Sequence, residues 1–200
     1  MTRLARNKAA RSAWALALLL GQLPLAALCG DLQPHEYLDP ETAATVTIVG
    51  EPLVFANPRT EVAANARDYV TLSAAAVDRN GKVSYILVAY FWSTVDARVR
   101  GDAIQNPEPL VLQADDRRIE LTSRGHSPYE QGISVPIHPP LGPATTPNVY
   151  STDLGALRSI AVARQLSLVA ETKITSIPYA LWEDHRAALR AFVQHMSGGL

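Results

Sequence analysis

Residues 67–93 constrain the fold of this chain more than any other stretch. Two apolar runs flank Asn80-Gly81, a dipeptide that favours the type I′ turn of a two-residue β-hairpin because both residues tolerate a positive φ. Pairing across this turn places Val70 opposite Phe91, and the residues that share their face are all apolar. A slip of one residue would exchange the two faces, so the register is well specified. We therefore predict that this hairpin lies in the middle of an antiparallel sheet and forms the folding core.

The second face of the hairpin carries three aromatic residues, Tyr69, Tyr90 and Trp92, and Tyr69 lies directly opposite Trp92. Aromatic side chains are more often part of a core than of a binding surface. We expect these residues to pack beneath the last helix, together with Trp182 and Phe192. The alternative is a cleft for a sugar or an apolar ligand, in which Tyr90 and Trp92 would serve a small-ligand carrier.

A second hairpin is predicted around Asp115-Asp116. Pairing across this turn places Leu112 opposite Ile119 on an apolar face, while Arg118 and Glu120 point outward. Asp-Asp is weaker turn chemistry than Asn-Gly, which leaves a longer loop as an alternative.

The rest of the chain predicts further short strands and, late in the sequence, two helices. Strand-like patterns occur at residues 44–49, 53–55, 166–171 and 177–182. Asp153 and Asp184 are suitable N-caps for the two helices, and the second helix is expected at residues 185–196. Because the helices follow most of the strands, we predict a mainly β fold, an antiparallel β-sandwich with two late helices that cover an edge or a face.

The first 29 residues have the pattern of an export signal. An apolar run at residues 13–20 follows four basic residues, and small residues follow at 21–30. Loss of this leader changes the formal net charge from −1 to about −5, which argues against a nucleic-acid partner. We expect residues 1–29 to be a signal peptide, residues 30–43 a tether and residues 44–197 a single β-sandwich domain.

Cys29 is the only cysteine in the sequence, so the chain cannot form an internal disulfide. Its surroundings at residues 25–30 are similar to a bacterial lipoprotein signal, in which a small residue precedes a cysteine that becomes acylated. Leu28 departs from that pattern, and ordinary cleavage nearby is the alternative. Acylation of Cys29 would anchor the protein in the inner or outer membrane, and without it the expected location is the periplasm.

Three stretches of the chain carry a family resemblance. They are Tyr37-Leu38-Asp39, the sequence TAATVTIVGEPLVFA at residues 42–56 and the sequence AYFWSTVD at residues 89–96. Together they resemble uncharacterised envelope proteins of Gram-negative bacteria, many of which carry lipoprotein leaders. The resemblance covers most of the chain after the leader. It implies an envelope location, and it identifies neither an activity nor functional residues.

Residues 125–148 are distinguished by six prolines. Because proline cannot donate to a central β-ladder, at most residues 133–137 form an edge strand. Long loops in compact domains are often functional, so this segment is the first candidate for a surface that contacts an envelope partner or a ligand. Its candidate binding residues are His126, Tyr129, Glu130 and His138.

Catalytic patterns are weak in this sequence. Glu130 lies between His126 and His138, but no pair of histidines has the tight spacing of a metal site. A Gly-x-Ser-x-Gly elbow and a glycine-rich phosphate loop are also missing. The sequence therefore favours a non-catalytic binding or structural module of the envelope, without metal or cofactor. The alternatives are an envelope hydrolase that uses His126, Glu130 and His138, and the small-ligand carrier that uses Tyr90 and Trp92.

Overall fold

The computed structural model describes residues 32–95, 109–141, 146–171 and 175–198. This part of the chain forms ten β-strands, two α-helices and one short 3-10 helix. The strands are β1 (His35–Leu38), β2 (Thr45–Ile48), β3 (Leu53–Pro58), β4 (Arg67–Arg79), β5 (Lys82–Ser93), β6 (Leu110–Ala114), β7 (Arg117–Ser123), β8 (Pro147–Thr152), β9 (Leu166–Glu171) and β10 (Ser176–Glu183). The helices are α1 (Leu154–Val162), α2 (Arg186–Gly198) and the 3-10 helix Pro128–Gln131. The predicted signal peptide, with Cys29, lies outside the described residues.

Eight of these strands close into an antiparallel β-barrel. Their order around the barrel is β4-β3-β10-β9-β6-β7-β8-β5, and β5 pairs with β4 to complete the ring. The other two strands lie outside it. β2 continues along the edge of β4 beyond β3, and β1, which falls within the predicted tether, pairs with β2. Closure of the ring pairs every barrel strand with two neighbours, which is how barrels avoid free edges.

The predicted β-sandwich is therefore wrong, both as the fold class and as the domain at residues 44–197, because one sheet closes on itself. The decisive strand is β8, which pairs with β7 on one side and with β5 on the other. It starts at Pro147, in the proline-rich segment, where the sequence predicts no strand. Local hairpins are common to sandwiches and barrels, and only such long-range pairings distinguish the two architectures.

Both predicted hairpins are confirmed in their register. β4 and β5 pair Val70 with Phe91, and Asn80-Gly81 adopts the positive φ angles of 57° and 79° that the turn requires. β6 and β7 pair Leu112 with Ile119 across their own two-residue turn. These registers depend on local alternation and on turn chemistry, which is why the sequence alone predicts them.

The apolar face of the β4–β5 hairpin points into the barrel, where it joins a core to which all eight barrel strands contribute. The interior of an eight-stranded barrel is just wide enough for side chains to fill it. Its largest fully buried side chains include Phe55, Leu110, Tyr150, Leu168 and Tyr179. The barrel interior is thus a packed core.

Both helices lie at the end of the barrel where β8 and β10 finish and β9 begins. Asp153 caps α1, as predicted, because its Oδ1 accepts a hydrogen bond from Ala156 N at 2.8 Å. The helix predicted at residues 185–196 is found at Arg186–Gly198, and Asp184 Oδ1 accepts from Arg186 N at 3.1 Å. The buried faces of both helices join the interior core. They close one end of the barrel, so the expectation that they cover an edge or a face is also corrected.

Candidate functional site

The outer face of the β4–β5 hairpin carries a second apolar cluster, separate from the barrel interior. It combines residues of β2, β4, β5 and β8 with two isoleucines of the proline-rich segment, Ile133 and Ile137, which are 2% and 3% exposed. Burial of one isoleucine side chain contributes about 2 kcal/mol. These two residues therefore attach the segment to the outside of the barrel. We call residues 126–141 the strap; residues 133–137 within it are irregular and form no edge strand.

A buried carboxylate ties the strap to the first strands of the domain. Asp39 accepts hydrogen bonds from Ser134 N at 2.6 Å, Ser134 Oγ at 2.9 Å and Thr42 N at 2.9 Å. Desolvation raises the pKa of Asp39, but the hydrogen bonds from Ser134 and Thr42 outweigh it and hold the pKa well below its usual range. Because the ionised form accepts these bonds, the carboxylate holds the strap throughout the neutral pH range.

Two further polar contacts fix the strap along its length. Thr42 Oγ1 donates to the carbonyl of Gly132 at 2.8 Å, and Ser73 Oγ lies 3.1 Å from His138 Nδ1. Burial lowers the pKa of His138, although a hydrogen bond with the backbone of Gly50 acts in the opposite direction. The half-buried side chain of His138 therefore links the strap to β4 of the barrel wall.

Local sequence explains how the strap turns. Pro128 lies in the first turn of the 3-10 helix, where its missing N–H is not needed, and Ser127 Oγ accepts from Glu130 N at 3.4 Å. The helix ends at Gly132, which has a φ of 100°. A Cβ at this position would lie 2.8 Å from the guanidinium of Arg79. The left-handed backbone favours glycine here, and a larger residue would also displace the Arg79 side chain.

A pocket of about 430 Å³ lies between the strap and the barrel wall. Tyr90 of β5 and Pro147 of β8 line it on the barrel side. The strap supplies the other lining residues: His126, Ser127, Pro128, Tyr129, Ile133, Ser134, Val135, Pro136, Pro139 and Pro140. Five of the twelve lining residues are prolines, whose rings are rigid and carry no polar side-chain atom. The volume and the mostly apolar lining are typical of a small-molecule site.

Only some of the binding residues that the sequence predicts within residues 125–148 line the pocket. His126 and Tyr129 line the pocket together with Tyr90, although nothing in the sequence indicates that these residues lie close together. Glu130 belongs to the strap but does not line the pocket, and its backbone carbonyl accepts from Arg79 at 3.4 Å. His138 lies outside the lining as well, in contact with the barrel wall.

Trp92 does not line the pocket and instead belongs to a group that we call the stack: Tyr69, Trp92 and Trp182. The rings of Tyr69 and Trp92 lie 4.2 Å apart with an interplanar angle of 11°, and Trp182 meets Tyr69 edge-on at 6.2 Å. The guanidinium of Arg67 lies 4.8 Å from the ring centroid of Trp182. Trp92 Nε1 donates to Thr71 Oγ1 at 3.0 Å.

The expectation that these aromatic residues pack beneath the last helix is wrong. α2 buries Phe192 in the barrel interior, on the opposite side of the barrel wall from Tyr69 and Trp92. The expected contact with Trp182 does form, because this residue of β10 reaches across β3 to Tyr69.

Sequence reasoning missed the residues that hold the site together, Asp39 and Ile133 among them. Asp39 is separated from Ser134 by more than ninety positions, and nothing local distinguishes it from a surface carboxylate. A signal was present for the two isoleucines. Ile133 and Ile137 are large apolar residues in a proline-rich segment, which is typical of a loop that docks on an apolar surface.

Within the described ranges, no three His, Cys, Asp or Glu side chains are grouped so that they could hold a metal ion. Nor does any helix of those ranges have the length and apolar character needed to cross a membrane. Comparisons of the chain with protein-family models, curated proteins and solved structures return no match. The pocket and the strap are therefore the features from which a function can be inferred.

Proposed function

We propose that this protein is a non-catalytic binding module of the cell envelope, which holds a small apolar ligand in the pocket beneath the strap. The observation that carries this proposal is the pocket itself, with its volume of about 430 Å³ and its lining of proline and tyrosine rings. A space of this size, with rigid walls anchored by buried groups, is suited to a ligand.

The geometry favours binding over hydrolysis by His126, Glu130 and His138. Catalytic groups must lie within hydrogen-bond reach of one reacting centre. Of these three residues only His126 lines the pocket. For the carrier hypothesis, Tyr90 remains a candidate because it lines the pocket. Trp92 does not line the pocket, and its ring stacks on Tyr69 instead.

We also propose that the protein is exported. It would then be free in the periplasm, or anchored in a membrane by acylation of Cys29. The basic and then apolar N-terminus supports this, as does the resemblance to envelope proteins. The intact mass of the protein purified from envelope fractions tests the proposal, and we expect a chain that lacks the leader. A chain that still begins at Met1 would contradict removal of the leader, and absence of the protein from envelope fractions would contradict export.

Binding is tested with N-phenylnaphthylamine, a neutral apolar probe that fluoresces when it leaves water. Val135 lines the pocket and is 46% exposed, so Val135→Asp should fold normally. We expect the probe to bind the wild-type protein and to bind this variant at least about tenfold more weakly, because a carboxylate would border the apolar ligand.

The matched control is Val162→Asp, at an exposed position of α1, a helix that contributes no residue to the pocket. This variant should bind the probe like the wild type. Thermal denaturation of both variants verifies that they are folded. The proposal is wrong if the wild-type protein does not enhance the fluorescence, or if the two variants bind equally well.

A further inference from the structure

Most polar side chains of the pocket are already engaged within the protein. The hydroxyl of Tyr90 bonds to the backbone of the strap, and burial raises its pKa despite that bond. Ser134 Oγ donates to Asp39 at 2.9 Å. Ser127 Oγ accepts from the backbone of the 3-10 helix. Each of these three groups therefore has a partner within the protein and stabilises the walls of the pocket.

Two polar side chains in the lining are different. Among the described residues, neither the side chain of His126 nor that of Tyr129 has a hydrogen-bond or ion-pair partner. Both are exposed, and Tyr129 has 53% of its surface accessible. Tyr90 and Ile133, by contrast, are buried. The pocket therefore has a buried apolar side and an exposed rim with two side chains that can donate hydrogen bonds.

Charge narrows the class of ligand further. None of the twelve lining residues is Lys, Arg, Asp or Glu. A ligand with an ionised group would lose part of its hydration in this pocket, and no Lys, Arg, Asp or Glu of the lining would compensate with an opposite charge. An uncharged oxygen acceptor matches the donors at the rim without this penalty.

Building on the proposed binding function, we infer that the pocket takes an uncharged amphiphile of the fatty-ester class. Its apolar body lies against Tyr90, Ile133 and the prolines. Its head presents a carbonyl oxygen, which has two lone pairs, to His126 and Tyr129 at the rim. The lining thus selects for one acceptor at one end of an otherwise apolar molecule.

Competition for bound N-phenylnaphthylamine on the full chain tests this inference. Octane, methyl octanoate and octanoate share an apolar body and differ in the head. We expect methyl octanoate to displace the probe at a concentration about tenfold lower than octane, the effect of two modest hydrogen bonds, and octanoate to be no better than the ester. The double variant His126→Phe, Tyr129→Phe keeps an aromatic ring at each position and removes both donors. It should abolish the advantage of the ester over octane, because neither phenyl ring can donate a hydrogen bond to the carbonyl oxygen.

A matched control removes the same groups elsewhere, with His195→Phe on α2 and Tyr37→Phe on β1, and neither position lines this pocket. This control should retain the preference for the ester. Equal displacement by ester and alkane, or a tenfold preference for octanoate, would overturn the ligand class and leave the binding function standing. Failure of the probe itself to bind the wild-type protein would overturn both.

Discussion

Tyr90 and Trp92 lie two positions apart on the same face of β5, yet their surroundings differ. Tyr90 is buried beneath the strap and lines a pocket of about 430 Å³. Trp92 is covered by side chains of its own sheet and stacks on Tyr69 at 4.2 Å. One half of the outer face is covered by a separate segment of the chain, and the other half by neighbouring rings.

The difference shows that the ability of this surface to bind a ligand depends on whether stacked rings or the strap cover it. Flat rings in direct contact leave no space between them, and each ring stabilises the next. The strap is held at a few points, Ile133, Ile137 and Ser134, and its rigid prolines cannot bend to fill the space between those points. The strap half therefore contains a pocket, while the stack half is closed.

The largest expected effect comes from the loss of the carboxylate that holds the strap. Asp39→Ala leaves the half-buried Ser134 N and Thr42 N without their acceptor, so we expect the free energy of unfolding to fall by about 2 kcal/mol. The probe should no longer bind, because the strap loses its tie to the barrel. Urea denaturation and the probe titration measure the two effects.

The matched control for this prediction is Asp153→Ala, which removes the N-cap of α1, a helix that contributes no residue to the pocket. It should lower the free energy of unfolding by about 1 kcal/mol and leave probe binding intact. Equal loss of binding in both variants would mean that the pocket depends on overall stability and not on the attachment of the strap.

A smaller effect is expected from the other half of the outer face. Trp182→Ala removes the edge-on contact with Tyr69 and the ring beneath Arg67, so we expect destabilisation by about 1 kcal/mol. Probe binding should not change, since Trp182 does not line the pocket. Trp182→Phe keeps part of the contact and should recover part of the stability. Weaker probe binding by Trp182→Ala would show that the two halves are coupled.

The smallest effect is a dependence on pH that is confined to the strap. Burial lowers the pKa of His138, so the folded protein binds this proton less readily than the unfolded chain does. Docking of the strap is therefore fully favourable above about pH 6.5, the ordinary value for histidine, and weakens as the pH falls below it. The charged groups that act on His138 are His35 and Glu51, which have opposite effects.

Probe titrations between about pH 8 and pH 5 measure this dependence. Binding should weaken towards acid in the wild type and in His126→Phe, and His138→Gln should remove the change. If His126→Phe removes it instead, the titrating group is at the rim of the pocket. The environment of the stack, followed by tryptophan fluorescence, is expected to stay constant over the same range.

Much of the local structure could be predicted from the sequence. Alternating apolar residues and Asn80-Gly81 determine the register of the β4–β5 hairpin, and Asp153 determines the start of α1, because these features depend on residues a few positions apart. The closure of the barrel could not be predicted in this way. It depends on the pairing of β8 with β5, which joins residues about sixty positions apart through a strand that starts with proline.

The sequence likewise predicts only part of the candidate site. The sequence indicates that residues 125–148 form an unusual loop, and it picks out Tyr90, His126 and Tyr129 as candidates. It does not show that these three residues share one pocket, since that depends on how the strap lies on the barrel.

By itself, the sequence therefore determined most of the segments that become strands and helices, although not β1 or β8, and it determined which face of the central hairpin is apolar. Only the tertiary structure decided what lies on each face. The reason is physical: apolar burial has no direction of its own, so an apolar face specifies that it will be covered but not by which segment. Buried hydrogen bonds such as that of Ser134 to Asp39 make the choice, because each needs its partner at one position in space.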